Sequence, residues 1–371
     1  MTTGTSAASL SAGGSPRQSL ISRFLATLRQ RLHPWRFRRW IRQRPDAVRY
    51  GSIDACRYLR IAAAGVRHVH VLRETHRPQN DDFFRWLHDK RPAAARLFRY
   101  STPGAPLGAR VGRAALLAPW LWDPVRERDA RLYRRFRAVE RRYEQAGVPI
   151  VNPVSRLSNA IKSNALAMLR EAGFTAARSC TPSANCSFDA LVAAVGLPFI
   201  VRNDHGSHGY VRLVRTREDF RRVDWSQLPH AVALEYLDTR SADGLYRKYR
   251  YLVTGDTGIN RHLVIARDWC VHADDRLRRQ AFVDEELAFV NAPNPFHQDL
   301  VRAARTLKLD LVAFDYSVDR SGRLVIWEPN PYPGMWPKAY DDDRYYDYQR
   351  ACVERVFMHM LSFYLRRASL E

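Results

Sequence analysis

The sequence predicts a mixed α/β protein of two or three packed subdomains. Three observations lead there. The chain has 371 residues, too many for one small core. Its hydrophobic and charged fractions, 46% and 26%, are those of a globular chain. Amphipathic helical stretches alternate with β-rich runs, and the densest of those runs fall between residues 198 and 330.

The N-terminus stands apart. Residues 1–16 are rich in Ser, Thr, Gly and Ala and read as disordered. Residues 1–45 contain no Asp or Glu, and residues 17–44 interleave arginines with Phe24, Leu25, Leu28, Leu32, Trp35, Phe37, Trp40 and Ile41. Three readings of this basic extension stay open: a solvated flexible arm, an amphipathic contact for an anionic surface or partner, and an organellar transit peptide.

Residues 46–150 read as an N-terminal α/β unit. A strand is expected at 69–72, a helix at 82–87 and a buried strand at 114–121. A long charged helix over 126–145 is stopped by Gly147 and Pro149. The unit lacks Gly-x-Gly-x-x-Gly, so nothing in it predicts a dinucleotide site. A helix over 158–172 follows, with Ser158 as its N-cap and Gly173 as its left-handed terminator. Its apolar stripe is Ile161, Ala165, Leu166 and Leu169. Further strands are expected at 198–202, 210–215, 232–237, 248–254 and 258–266, then a helix at 297–307. A tyrosine-rich acidic stretch, 340–348, lies within a C-terminal helical segment, 339–371.

The most informative segment is Leu311-Val-Ala-Phe-Asp-Tyr-Ser-Val-Asp319, then Arg-Ser-Gly, then Arg323-Leu-Val-Ile-Trp-Glu-Pro-Asn330. It reads as a hairpin turning at Ser321-Gly322. That turn sets Val318 opposite Val325, Tyr316 opposite Trp327, and Asp315 opposite Glu328, with Asn330 on the face of Glu328. Opposed carboxylates, with Cβ atoms about 5 Å apart, need a positive charge between them. Mg²⁺, a hard ion that takes carboxylate, amide and phosphate oxygens, suits that place. Arginine or water are the alternatives.

The hairpin and the following Pro329-Asn-Pro-Tyr-Pro-Gly334 resemble the metal-binding end of ATP-grasp enzymes. Glutathione synthetase, D-alanine–D-alanine ligase and ribosomal-protein glutamate ligases belong to that group. The likeness runs over residues 150–338. It implies an ATP-grasp domain at 151–338, with a central lobe at about 160–237 and a C-terminal lobe at about 238–338. It implies Asp315, Glu328 and Asn330 as Mg²⁺ ligands. Lys162 falls where the family has its first ATP-contacting lysine. Arg202 stands where the family has a second phosphate-binding lysine, and arginine can pair phosphate bidentately. The loop carrying Gly206, Ser207, His208 and Gly209 resembles the glycine-rich flap over the triphosphate. Glu235, Tyr236 and Leu237 would line the base and ribose, and Lys248 would join the phosphate set. Arg250, and after it Arg261, would steady the transferring phosphoryl group. His262 and His272 read as structural.

The resemblance implies ATP and two Mg²⁺ ions as cofactors. The reaction would form an acyl phosphate and ADP, and an amine would then displace phosphate to give an amide. Small carboxylates and amines, or a peptide, are the implied substrates. Two alternatives stay open: phosphoryl transfer to a hydroxyl, and non-catalytic binding of nucleotide or polyanion. The net charge of +22 favours anionic partners of any kind. The five cysteines are odd in number and form no Cys-x-x-Cys, which argues against a disulfide framework or structural zinc. A reducing cytoplasm is therefore the expected setting, and oligomeric state stays open.

Overall fold

The computed structural model describes residues 65–74, 81–103, 111–121, 124–183, 186–206, 209–272, 275–335 and 347–371. The basic extension and most of the acidic stretch lie outside these residues.

The N-terminal unit carries β1 (His68–Arg73), α1 (Asp82–Lys90), α2 (Pro92–Ala95), β2 (Phe98–Ser101) and β3 (Ala114–Trp120). Its strands form a parallel sheet in the order β2-β1-β3. Every position of the three strands is buried, which is why β3 reads as a continuous apolar run rather than an alternating one. The expected single helix over 126–145 is instead two, α3 (Val125–Arg128) and α4 (Ala130–Gln145). Asp129 breaks it, because its carboxylate accepts from the backbone N–H groups of Arg131 and Leu132 and caps α4.

A second correction concerns the next helix. A 3-10 turn over Val154–Ala160 precedes α5 (Lys162–Glu171). Ser158 is therefore not a cap; its hydroxyl donates to Glu127 at 2.8 Å. Gly173, at φ +84°, does terminate the helix. The shortening matters, because it puts Lys162 in the first turn of α5.

The central lobe contains β4 (Ser179–Cys180), α6 (Phe188–Val195), β5 (Phe199–Asn203), β6 (Val211–Val214), α7 (Arg217–Arg221) and β7 (Ala231–Glu235). Its antiparallel sheet runs β4-β7-β5-β6. Strand alternation splits its residues. Phe199, Val201 and Ala233 pack outward with Leu191 and Val195 of α6. Ile200, Val232 and Leu234 face inward to the main core.

The C-terminal lobe adds β8 (Tyr246–Thr254), β9 (Thr257–Ala266), α8 (Gln280–Asn291), α9 (His297–Thr306), β10 (Leu311–Val318) and β11 (Leu324–Asn330). The sheet is antiparallel, in the order β11-β10-β8-β9. A final helix, α10 (Asp347–Ala368), returns to the N-terminal unit, where Phe357 and Tyr364 pack on Phe83. The sequence reading missed α2, β2, β4, α6, α7 and α8. No helix among the described residues is long and apolar enough to cross a membrane.

The hairpin between β10 and β11 corrects the expected turn. Val318 pairs with Leu324 and Tyr316 with Ile326, one residue off the expected register. The loop has three residues, 320–322, with Gly322 at φ +80°. Asp319 steadies it by accepting from the N–H groups of Ser321 and Arg323. A β-bulge between Asp315 and Tyr316 then makes Trp327 the extra residue, and beyond it Asp315 does pair with Glu328. The expected pairing is thus reached by a different turn and a compensating bulge.

Candidate active site

Antiparallel pairing fixes what lies beside Asp315. Its partner on β8 is Arg250, and its partner on β11 is Glu328. Arg250 grips Asp315 bidentately, Nε to Oδ1 at 2.6 Å and Nη2 to Oδ2 at 2.8 Å. Its Nη1 donates to the Gly334 carbonyl at 3.3 Å, in the Pro/Gly-rich loop. Lys248, two residues before Arg250 on the same face, brings its Nζ to 3.9 Å from Asp315.

Glu328 is approached from the other lobe. Lys162 Nζ lies 3.4 Å and Arg202 Nη2 3.8 Å from its Oε2. Arg202 projects inward from β5, on the parity of Ile200, and Lys162 reaches in from the start of α5. The lobes therefore meet across the carboxylates. Burial alone would raise the Glu328 carboxyl, but Lys162, then Arg202, Lys248 and Arg250, reverse this and hold it down at about 2.

Lys162 also joins the glycine-rich loop, donating to the carbonyls of Asp204, at 3.4 Å, and Gly206. The Asp204 carboxylate accepts from the N–H and hydroxyl of Ser163, at 2.8 and 2.6 Å. That is a carboxylate on the positive end of α5. Gly206 and Gly209 take φ of +75° and +136°, which side-chain-bearing residues rarely adopt. Ser207 and His208 lie outside the described residues.

Four cations thus surround two carboxylates, an excess of two positive charges. Three buried polar atoms here lack a hydrogen-bond partner: Glu328 Oε2, Arg202 Nε and Asn330 Nδ2. Buried polar groups normally find hydrogen-bond partners, so these three, on facing elements, leave hydrogen bonds for a charged ligand to make. Among the described residues no three His, Cys, Asp or Glu side chains cluster as a metal site. The group here is two carboxylates and an amide, all offering hard oxygens, and it fits Mg²⁺.

Two antiparallel sheets face one another, one bringing phosphate-type cations and the other a carboxylate hairpin with a following Pro/Gly loop. This two-sheet arrangement is the mixed α/β fold that the sequence predicts. Solved ATP-grasp structures are similar to it at low identity. The ATP-grasp ligase PsnB, complexed with minimal precursor, is 16% identical, covering 78% of this chain and 100% of that one, with a TM-score of 0.49. D-alanine–D-alanine ligase from Bacillus anthracis, complexed with ATP, is 13% identical over 80% and 99% of the chains, with a TM-score of 0.47. Macrocyclase MdnC from Microcystis aeruginosa MRC, bound with precursor peptide MdnA, is 11% identical over 78% and 98%, with a TM-score of 0.47. No family model and no curated protein matches the sequence.

Two expected site residues make other contacts with their side chains. Glu235 shares the outward parity of Ala233, so its carboxylate leaves the cleft for Arg178, whose Nε and backbone N–H lie 3.2 and 3.0 Å away. Only its backbone edge can line a base pocket. Tyr236 and Leu237 lie beyond the end of β7 and pack against the main core. The Tyr236 hydroxyl bonds that of Tyr246 at 3.1 Å, and its ring meets Trp269. Arg261 is 1% exposed, and its Nε and Nη2 donate to the Met335 carbonyl. A bulge between Arg250 and Tyr251 makes Arg261 the extra residue of β9. It fixes the Pro/Gly loop instead. A cavity of about 540 Å³, walled by Phe220, Trp225 and His230, also touches Asp204 and His205 at the start of the glycine-rich loop.

Proposed function

We propose that this protein is an ATP- and magnesium-dependent ligase that joins a carboxylate to an amine through an acyl phosphate. One observation carries the reading: cations from both lobes converge on Glu328, which is paired with Asp315. An excess of positive charge enclosed between two lobes suits a triphosphate, and paired carboxylates suit its metal.

Lys162 and Arg202 hold the phosphates from the central lobe, and the loop with Gly206 and Gly209 covers them with backbone N–H groups. Tyr236 and Leu237, with the backbone of Glu235, receive the base. Asp315, Glu328 and Asn330 would hold Mg²⁺, which when bound supplies charge neutralisation across the phosphates. Arg250 and Lys248 steady the phosphoryl group as it passes to the substrate carboxylate. Arg202 reaches Glu328 from the strand position expected of a lysine, so the substitution keeps a cation in place. The carboxylate is that of a small acid or a peptide.

The test is ADP release with Mg²⁺ across a panel of amino acids and small acids, with hydroxylamine as trap. An acyl phosphate yields a hydroxamate, whereas transfer to a hydroxyl does not. Asp315→Ala and Glu328→Ala lose turnover on this reading; full turnover in either rejects the site.

A further inference from the structure

The four strands of the C-terminal sheet align one row of directly paired residues: Glu328, Asp315, Arg250 and His262. Paired residues project from the same face, and neighbouring strands lie about 4.8 Å apart. The row therefore runs from the metal carboxylates, through the phosphoryl arginine, to an imidazole one strand further on.

Both bulges of the sheet border this row. One makes Trp327 the extra residue of β11; the other does the same for Arg261 of β9. Without the second, the register of Tyr251 with Asn260 would continue and set Arg261 opposite Arg250. The bulge delivers His262 there instead. Bulges gather next to active sites because they re-aim side chains.

His262 is 9% exposed, and its Nδ1 is enclosed without a hydrogen-bond partner. An enclosed imidazole nitrogen with no partner is destabilising, so packing alone does not explain it. Enclosure of Nδ1 leaves Nε2 as the ring nitrogen for a ligand.

We propose that His262 is the proton acceptor for the amine substrate, seated one strand beyond Arg250. This rests on the ligase reading. The neutral amine attacks the acyl carbon with its lone pair, and the new C–N bond forms. The carbon–oxygen bond to phosphate breaks, and phosphate leaves with that electron pair. The proton shed by nitrogen passes to His262 Nε2 and from there to the departing phosphate, so the histidine is regenerated. Burial, then Arg261, Arg250, Arg276 and Lys248, keeps the imidazole well below the ordinary histidine value, hence neutral and able to accept. Phosphates that neutralise Lys248 and Arg250 make it more basic once nucleotide is bound.

Hydroxylamine and glycinamide separate the roles, each with an acid that supports ADP release in the wild type. Hydroxylamine is unprotonated and strongly nucleophilic at neutral pH and needs no base. In His262→Ala and His262→Gln, hydroxamate formation stays within about threefold, while amide formation with glycinamide falls about 10²-fold or more. Free imidazole restores part of the amide rate of His262→Ala. If both products fall together, or neither falls, or imidazole restores nothing, His262 is not the acceptor. If the wild type itself forms no hydroxamate with any acid, the ligase reading fails first and the proposal with it.

Discussion

Glu328→Gln is the substitution whose effect the structure specifies most fully. The Glu328 side chain is 13% exposed, with Lys162 and Arg202 at 3.4 and 3.8 Å. Burial works against its charge, but the four cations hold the carboxyl at about 2 instead of 4.5. At 1.36 kcal/mol per tenfold, that difference is about 3 kcal/mol. A folded-state pKa below the unfolded one contributes stability that is present above pH 4.5 and is lost as pH falls through 2. Glutamine resembles the protonated acid in shape and charge. Urea unfolding should therefore show the wild type about 3 kcal/mol more stable at pH 7. The gap should hold down to about pH 5 and narrow steadily below 4.5. A gap under about 1 kcal/mol at pH 7, or one indifferent to pH below 4, would contradict the charge arrangement.

Other outcomes follow from single contacts. Arg202→Lys should retain nucleotide binding within a few fold, whereas Arg202→Met should weaken it about tenfold or more in a direct titration, because the loss is of charge rather than shape. Gly258→Ala places its Cβ 2.5 Å from Tyr251 Cε1, and Tyr251 is held by a 2.7 Å bond to His297. The ring has little freedom to yield, so unfolding free energy should drop by about 1–3 kcal/mol; a change below 0.5 kcal/mol, within the noise of ordinary surface substitutions, would show that it does. His359, bonded to the Thr254 hydroxyl at 2.7 Å, is held at about 4 by burial and then by Arg366. Its neutral form is the stable one, so stability is lost as pH falls from 6.5 towards 4. His359→Gln should flatten that decline in melting temperature, and an unchanged slope would count against it.

The sequence made the carboxylate hairpin legible because β-rich runs around a glycine turn restrict pairing to few registers. It did not reveal how the pairing is achieved. Gly322 could end a two- or a three-residue loop, and nothing in Trp327 announces a bulge, so the expected register at Val318 was off by one while Asp315 still met Glu328. Parity explains the Glu235 correction. One residue of strand phase decides between the cleft and Arg178, and that phase was left unread in a short apolar run. The register at Arg261 and His262 was unread for the same kind of reason. The β9 bulge sends the arginine to the Met335 carbonyl and brings the histidine, read as structural, into the row with Arg250. Helix starts were the weakest reading. Asp129 looked like one more charge in a charged helix, and Ser158 looked like a cap, although a 3-10 turn occupies its place.

The most direct measurement is calorimetric titration of a non-hydrolysable ATP analogue, with and without Mg²⁺, into the wild type and Asp315→Asn. Saturable binding that weakens about tenfold or more when either the ion or the carboxylate is removed is the expected result. Equal affinity in all conditions, or none in any, would mean that Asp315 and Glu328 hold no metal-bound nucleotide.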